Sequence, residues 1–290
     1  MDGVFLDRKM VVVPHFKRLH EMVAKEKNMF AEEGLEVEFR TDVMEGTTNA
    51  PDFPRVVGEE LAEDKVPSMS AACNWGVCVS AGAGRGKLVN DVYFRTENSV
   101  FVPSDSKIQT AKDLEGVPVG VGELSGSHFS GIEILEANMP RDRVKVELIG
   151  GPATRLRKLM SGEAEAANLL PPYIYIARQL GLREVLSGHY KTLLWAGNTV
   201  TREETEAYVR AMKRAQEEID RAPQAYLHYW NDLMPVDFRG LVDVSKFGQG
   251  EVLVAEPYTE DEYKKVFAWM KERGLTGRMM DNGYERLIVR

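Results

Sequence analysis

The chain has 290 residues but only two cysteines, Cys73 and Cys78. They stand close together in one small-residue run. If that run is helical their side chains diverge too far for bridging, so a disulfide framework is excluded and both thiols are expected reduced. No stretch approaches the ~20 continuous apolar residues of a membrane span. Positive charge is also scarce: 37 Lys and Arg face 45 Asp and Glu, for a formal net charge of −8. That balance argues against nucleic acid as the main partner, because phosphate binding needs concentrated basic residues. The opening residues, Met1 to Arg8, have neither the basic start nor the apolar core of a secretory leader. A cytoplasmic location is therefore expected for the chain as written, and a periplasmic or extracellular one if a leader has been removed.

Two motif classes are missing as well. His15 and His20 are five apart, which is not the i, i+4 spacing of a helical zinc pair, so no metal site is expected. Residues 82–87 are rich in glycine and end in lysine, but Leu88 occupies the place of the hydroxyl that a phosphate loop requires, and the spacing is wrong. A plain turn is expected there. No cofactor is implied.

What is present is an ordinary globular composition, 43% apolar and 28% charged, which excludes wholesale disorder. The length suits one large α/β domain or two lobes, and two lobes is the reading adopted. Strand and helix signals alternate, which favours α/β layers. Strands are expected at residues 10–13, 35–39, 66–72, 87–94, 99–102, 117–121, 144–148, 164–169 and 193–200. A helix is traced from Phe16 to Phe30, stopping at Gly34. Further helices are expected at 55–61, 75–81, 153–160 and 173–180. A long amphipathic helix spans 201–221, with Thr201 as its N-cap ahead of Glu203 and Glu204. Polar residues 95–98 lie between two strands, as a hinge would.

The segment that carries most chemistry follows the strand at 117–121. Ser125, Gly126, Ser127 and His128 precede residues Phe129, Ile132 and Leu135 at helical spacing. A helix start exposes unpaired N–H groups and the positive end of the peptide dipoles, so such a loop readily holds a carboxylate, sulfonate or phosphate. Ser in that place also serves as an ordinary helix cap. Arg155 and Arg157 read as a solvated helix face rather than an anion clamp, and His20 as a helix-surface residue. Cys78 belongs to the core. Cys73 is read first as a small buried hydrophobe, with a nucleophilic role as the alternative.

Several of these pieces resemble the type 2 periplasmic-binding-protein superfamily, in the branch of alkanesulfonate, taurine and nitrate solute-binding proteins and thiamine-pyrimidine-precursor proteins. The matching residues are His15, residues 24–38, residues 99–116, the loop Ser125 to His128, and residues 162–173. The resemblance implies an α/β fold of two lobes with mostly parallel sheets flanked by helices and a ligand cleft between them. One lobe would comprise residues 1–98 and 192–290, the other residues 99–191. Cleft positions implied are His15 and Phe16, Asn74 and Trp75, Ser125 to His128, Pro172, Tyr173 and Trp195. The chain departs from the usual pattern in lacking a leader, in Cys73-Asn74-Trp75, and in Pro171-Pro172.

Two function classes follow. One is a receptor enclosing a small anionic or aromatic ligand, partnered by an ATP-driven permease if exported. The other is a cytosolic enzyme on the same scaffold, a lyase, decarboxylase or desulfinase acting on a small aromatic acid, with His15, Cys73 and His128 as candidate catalytic groups.

Overall fold

The computed structural model describes residues 9–40, 67–276 and 283–290. The helix expected at 55–61 lies outside them. Among the described residues nine strands, numbered in chain order, form one continuous curled sheet, ordered β2-β1-β3-β8-β4-β7-β5-β6, with β9 added against β4. β1 (Met10–Val12), β2 (Val37–Phe39) and β3 (Met69–Cys73) run parallel to one another at one end. β5 (Pro118–Val121), β6 (Lys145–Leu148) and β7 (Ala166–Leu169) do the same at the other.

Two long antiparallel strands, β4 (Lys87–Val102) and β8 (Arg183–Ala196), connect these parallel groups. Sequence spacing divided β4 into two strands and began β8 ten residues late. The structure shows one ladder, because the polar residues at its middle find partners inside the protein. Thr96 and Thr192 share a hydrogen bond of 2.7 Å, and both are fully buried. A buried polar pair satisfied in this way lets a strand continue where hydropathy alone suggests a break. The short β9 (Val252–Val254) pairs with the Tyr93–Arg95 part of β4 and places Glu251 beside that pair.

The helix traced from Phe16 is instead two pieces, α1 (His20–Glu26) and α2 (Met29–Glu32). Asn28 between them adopts φ +54°, a left-handed conformation that Asn tolerates better than most residues and that interrupts a helix. α3 (Asn74–Gly82) follows β3 directly, and both cysteines are free and buried. α4 (Gly126–Glu136), α5 (Pro152–Ser161) and α6 (Tyr173–Gln179) each follow a parallel strand of the second group. α7 (Arg202–Arg221) starts with a capping box between Thr201 and Glu204 and buries Tyr208, Met212, Ala215 and Ile219 along one stripe. Tyr208 stacks on Phe30 of α2 at 5.2 Å between ring centres. α8 (Trp230–Leu233) and α9 (Glu260–Glu272) complete the α-helices among the described residues. No helix there is long and apolar enough to cross a membrane.

Candidate functional site

A cleft of about 430 Å³, counting the open solvent at its mouth, lies where the carboxyl ends of the two parallel groups face each other. Phe16 and Lys17 come from the loop after β1, Cys73 from the end of β3, and Gly122, Glu123, Ser125, Gly126 and Ser127 from the turn after β5 and the start of the helix that follows it. Gly150, Gly151, Pro152 and Arg155 follow β6, and Leu170 follows β7. Open α/β sheets gather ligands at this edge because helix starts and flexible turns converge there.

Two helix N-termini meet in the cleft. Ser125, the N-cap of α4, makes no capping bond with its side chain; its hydroxyl donates instead to the Gly122 carbonyl at 2.8 Å and pairs with Ser127 at 2.7 Å. The Ser127 hydroxyl accepts from the Gly122 N–H at 3.0 Å. The hydroxyls therefore shape the loop, and the first turn of α4 keeps its positive end toward the cleft. α5 likewise begins at Gly151 without a side-chain cap and carries no acidic residue in its first turn. Gly126 must be glycine for packing: an added Cβ would sit 2.8 Å from the Tyr190 hydroxyl and 3.5 Å from the Cys73 Cβ.

Arg155 corrects the sequence reading. It is 1% exposed, and its guanidinium donates to the backbone carbonyls of Asn168 (2.9 Å) and Gly150 (2.7 Å). Among the described residues no carboxylate pairs with it, and burial lowers its pKa to about 10. Arg157, by contrast, is exposed and meets Asp237 at 2.7 Å, as a solvated helix face would. The difference lies in direction: Arg155 turns inward across the ends of β6 and β7. A cation in the first turns of a helix opposes the peptide dipole, and that misplacement after Gly150-Gly151-Pro152 was the one sequence signal available for it.

Behind Lys17 lies a buried charge cluster that the sequence did not announce. Glu251 accepts from His15 Nδ1 (2.9 Å) and Thr96 Oγ1 (2.8 Å) and faces Lys17 Nζ and Arg18, each at 3.3 Å. Arg18 also grips Glu21 through two nitrogens and lies 3.9 Å over the Phe94 ring. Lys17 donates to the Tyr190 hydroxyl at 2.6 Å. All these charged groups are at most 4% exposed. Burial alone would raise the Glu251 pKa, but His15, Lys17 and Arg18 outweigh it and hold the carboxyl ionised. Lys17 is lowered by burial, against the pull of Glu251. His15 is lowered to about 4, burial exceeding the attraction of Glu251. It is therefore neutral, with its hydrogen on Nδ1, and its Nε2 has no partner among the described residues. The cluster's two cations and two carboxylates cancel, which leaves at the cleft the buried guanidinium of Arg155 and, in the turn after β5, the exposed carboxylate of Glu123.

Of the residues singled out from sequence, Phe16, Ser125, Gly126 and Ser127 line the cleft, and so does Cys73. His15 sits one layer behind, on Glu251. His128 is held to its own loop, accepting from the Leu124 N–H at 3.1 Å, with its pKa lowered by burial. Trp75 stacks on Phe129 at 5.5 Å as wall-backing core, and Asn74 beside it is buried at the start of α3. Pro172 caps α6, and Tyr173 packs edge-on against Phe238 at 6.2 Å. Trp195 donates to the Arg85 carbonyl at 2.8 Å within the core under α3. His20 is not on the surface: it is fully buried, 2.9 Å from Gln216 Oε1, because α7 covers the face of α1 that carries it. The Cys73 thiol accepts from the Gly76 N–H at 3.4 Å; its pKa is raised by burial, which outweighs the lowering by Gly76 and the Lys17 cation.

Solved structures define the fold. The periplasmic aliphatic sulphonate binding protein SsuA from Escherichia coli superposes with a TM-score of 0.67 at 14% identity, covering 97% of this chain and 97% of that one. A Candida albicans gene product, described as having the generic periplasmic binding protein structural fold, gives 0.62 at 11% over 96% and 94%. The desulfurization enzyme DszB gives 0.60 at 14% over 97% and 96%. No family model and no curated protein matches the sequence. The chain thus has the two-lobed fold of the periplasmic binding proteins.

Proposed function

We propose that the chain is a solute-binding receptor that encloses a small organic anion in the cleft. The observation that carries this reading is Arg155: a buried guanidinium without a carboxylate partner among the described residues, between two helix N-termini that lack side-chain caps. Each of these elements favours negative charge at the Arg155 end of the cleft, against which stands the exposed carboxylate of Glu123. Phe16, Leu170 and Cys73 supply the apolar walls. The lobes, taken as residues 1–98 with 192–290 and residues 99–191, would close on the ligand about β4 and β8. As an import receptor the chain would hand its cargo to an ATP-driven permease.

Thermal unfolding in the presence of 1-propanesulfonate, benzoate, nitrate and acetate, at matched ionic strength, tests the reading. A bound anion raises Tm in saturable fashion, following RT ln(1 + [L]/Kd), and neutral analogues such as 1-propanol do not. Arg155→Gln should remove the response. Saturable stabilisation by neutral analogues alone, or an equal response in Arg155→Gln, would defeat it. The enzyme alternative retains one group at the cleft, Cys73, since His15 and His128 are engaged elsewhere.

A further inference from the structure

We propose that His128 is a pH-sensitive latch on the turn between β5 and α4: the neutral imidazole holds the turn in the shape that receives an anion, and the protonated one releases the turn and weakens binding. The inference rests on the anion-site reading above and adds a control to it. Leu124 stands in the middle of the turn with φ +44°. In the left-handed region a leucine Cβ crowds the following carbonyl, and the residue stays there only where its neighbours hold it. The Leu124 side chain is 43% exposed, so packing gives little of that hold. Hydrogen bonds give the rest. The Gly122 carbonyl and N–H are tied to the hydroxyls of Ser125 and Ser127, and the Leu124 N–H donates to His128 Nδ1 at 3.1 Å.

The bond to His128 exists in one protonation state. A neutral imidazole with its hydrogen on Nε2 offers a lone pair at Nδ1, whereas the imidazolium carries hydrogens on both nitrogens, so that Nδ1 and the Leu124 N–H would point hydrogens at each other. The imidazolium would also stand in the first turn of α4, where the peptide dipole opposes positive charge. Burial is the larger influence on the ring and favours its neutral form, moving protonation below the ordinary value of 6.5. Glu123, in the same turn, favours the charged form; among the described residues no charged group of another element enters this balance, and the Phe129 ring stacks on the imidazole at 5.7 Å. Protonation therefore removes one restraint from a strained residue between Gly122 and Ser125, both of which line the cleft. Beside the Glu123 carboxylate, the added charge gives an anion little in return.

Calorimetric titration of the full-length chain with 1-propanesulfonate and, separately, nitrate, at constant ionic strength from pH 8 to pH 5, reads the latch, since neither anion changes charge in that range. Kd should be level above about pH 6.5 and rise about threefold by pH 5, part of the roughly fivefold loss that one hydrogen bond represents. His128→Gln, whose amide oxygen can accept the Leu124 N–H at every pH, should make Kd independent of pH. Leu124→Gly, which removes the strain, should reduce the rise. Should the variants not fold, the C2 proton of His128 in the unaltered protein, followed by NMR, should titrate at a lower pH with 1-propanesulfonate present than without it, because coupling between the two sites is reciprocal. Plain attraction between the anion and an imidazolium would move that midpoint up. A Kd that stays level or falls with acid, an equal rise in His128→Gln, or an upward shift of the His128 midpoint each overturns the proposal and leaves the receptor reading standing. If neither anion binds at pH 8, the receptor reading fails for these ligands and the proposal fails with it.

Discussion

The ammonium of Lys17 donates to the hydroxyl of Tyr190 at 2.6 Å, across 173 positions of sequence. Lys17 follows β1 and Tyr190 lies on β8 opposite Thr96, so this bond ties the cleft floor to the strand pair that joins the two parallel groups. Tyr190 also backs Gly126 at the start of α4 and tilts against Trp75 at 5.7 Å. One phenol thereby fixes the lysine, the helix start and an aromatic wall.

Tyr190→Phe should lower stability by about 1–3 kcal/mol, because the buried Lys17 loses an acceptor while the ring's packing is retained. Urea unfolding monitored by circular dichroism measures this. A midpoint equal to that of the unaltered protein would show that the hydroxyl contributes nothing.

Glu251→Gln should be more damaging, about 3–5 kcal/mol, since it strands the buried charge of Lys17 and leaves Arg18 with Glu21 alone. Arg157→Gln serves as its counterpart: the exposed pair with Asp237 is screened by water, and its loss should leave the urea midpoint unchanged within error. Equal effects from the two substitutions would contradict the weight given to the buried cluster.

Gly126→Ala should destabilise by about 1–3 kcal/mol despite the better helix propensity of alanine, because the new methyl meets a phenol that Lys17 and Trp75 prevent from moving. Calorimetric Tm decides the sign. A rise in Tm would mean that the Tyr190 ring yields.

The pH dependence has a definite direction. His15 and His20 are lowered by burial to about 4 and about 3, below the ordinary value of 6.5 that they regain on unfolding. The unfolded chain therefore binds more protons in that window, and stability rises with pH there. It should be full above about pH 6.5 and fall as pH drops toward about 4 and 3. Urea midpoints that stay flat from pH 8 to pH 5 would show that these imidazoles are not held neutral.

Much of the fold was legible because it is written in short-range spacing. The strand at 118–121, the Gly/Ser turn and the helix beginning at Gly126 follow from residues within a few positions of each other, as does the Thr201 capping box. The same applies to α3 and to the α5–β7–α6 succession. Where local pattern failed, distant partners decided. Residues 95–98 look like an interruption until Thr192 and Glu251 satisfy Thr96, and His20 looks like a surface residue until α7 packs over it with Gln216.

By itself the sequence determined the α/β alternation, the reduced thiols, the acidic balance and a helix start suited to anions, since each depends on composition or on neighbours along the chain. Only the tertiary structure decided where charge remains uncompensated. His15 and Glu251 are 236 positions apart, and Arg155 takes its partners from the backbone at Gly150 and Asn168. Whether a buried cation is neutralised depends on what the fold brings within about 4 Å of it, a distance at which the low interior dielectric makes the interaction strong, and sequence separation carries no information about that distance.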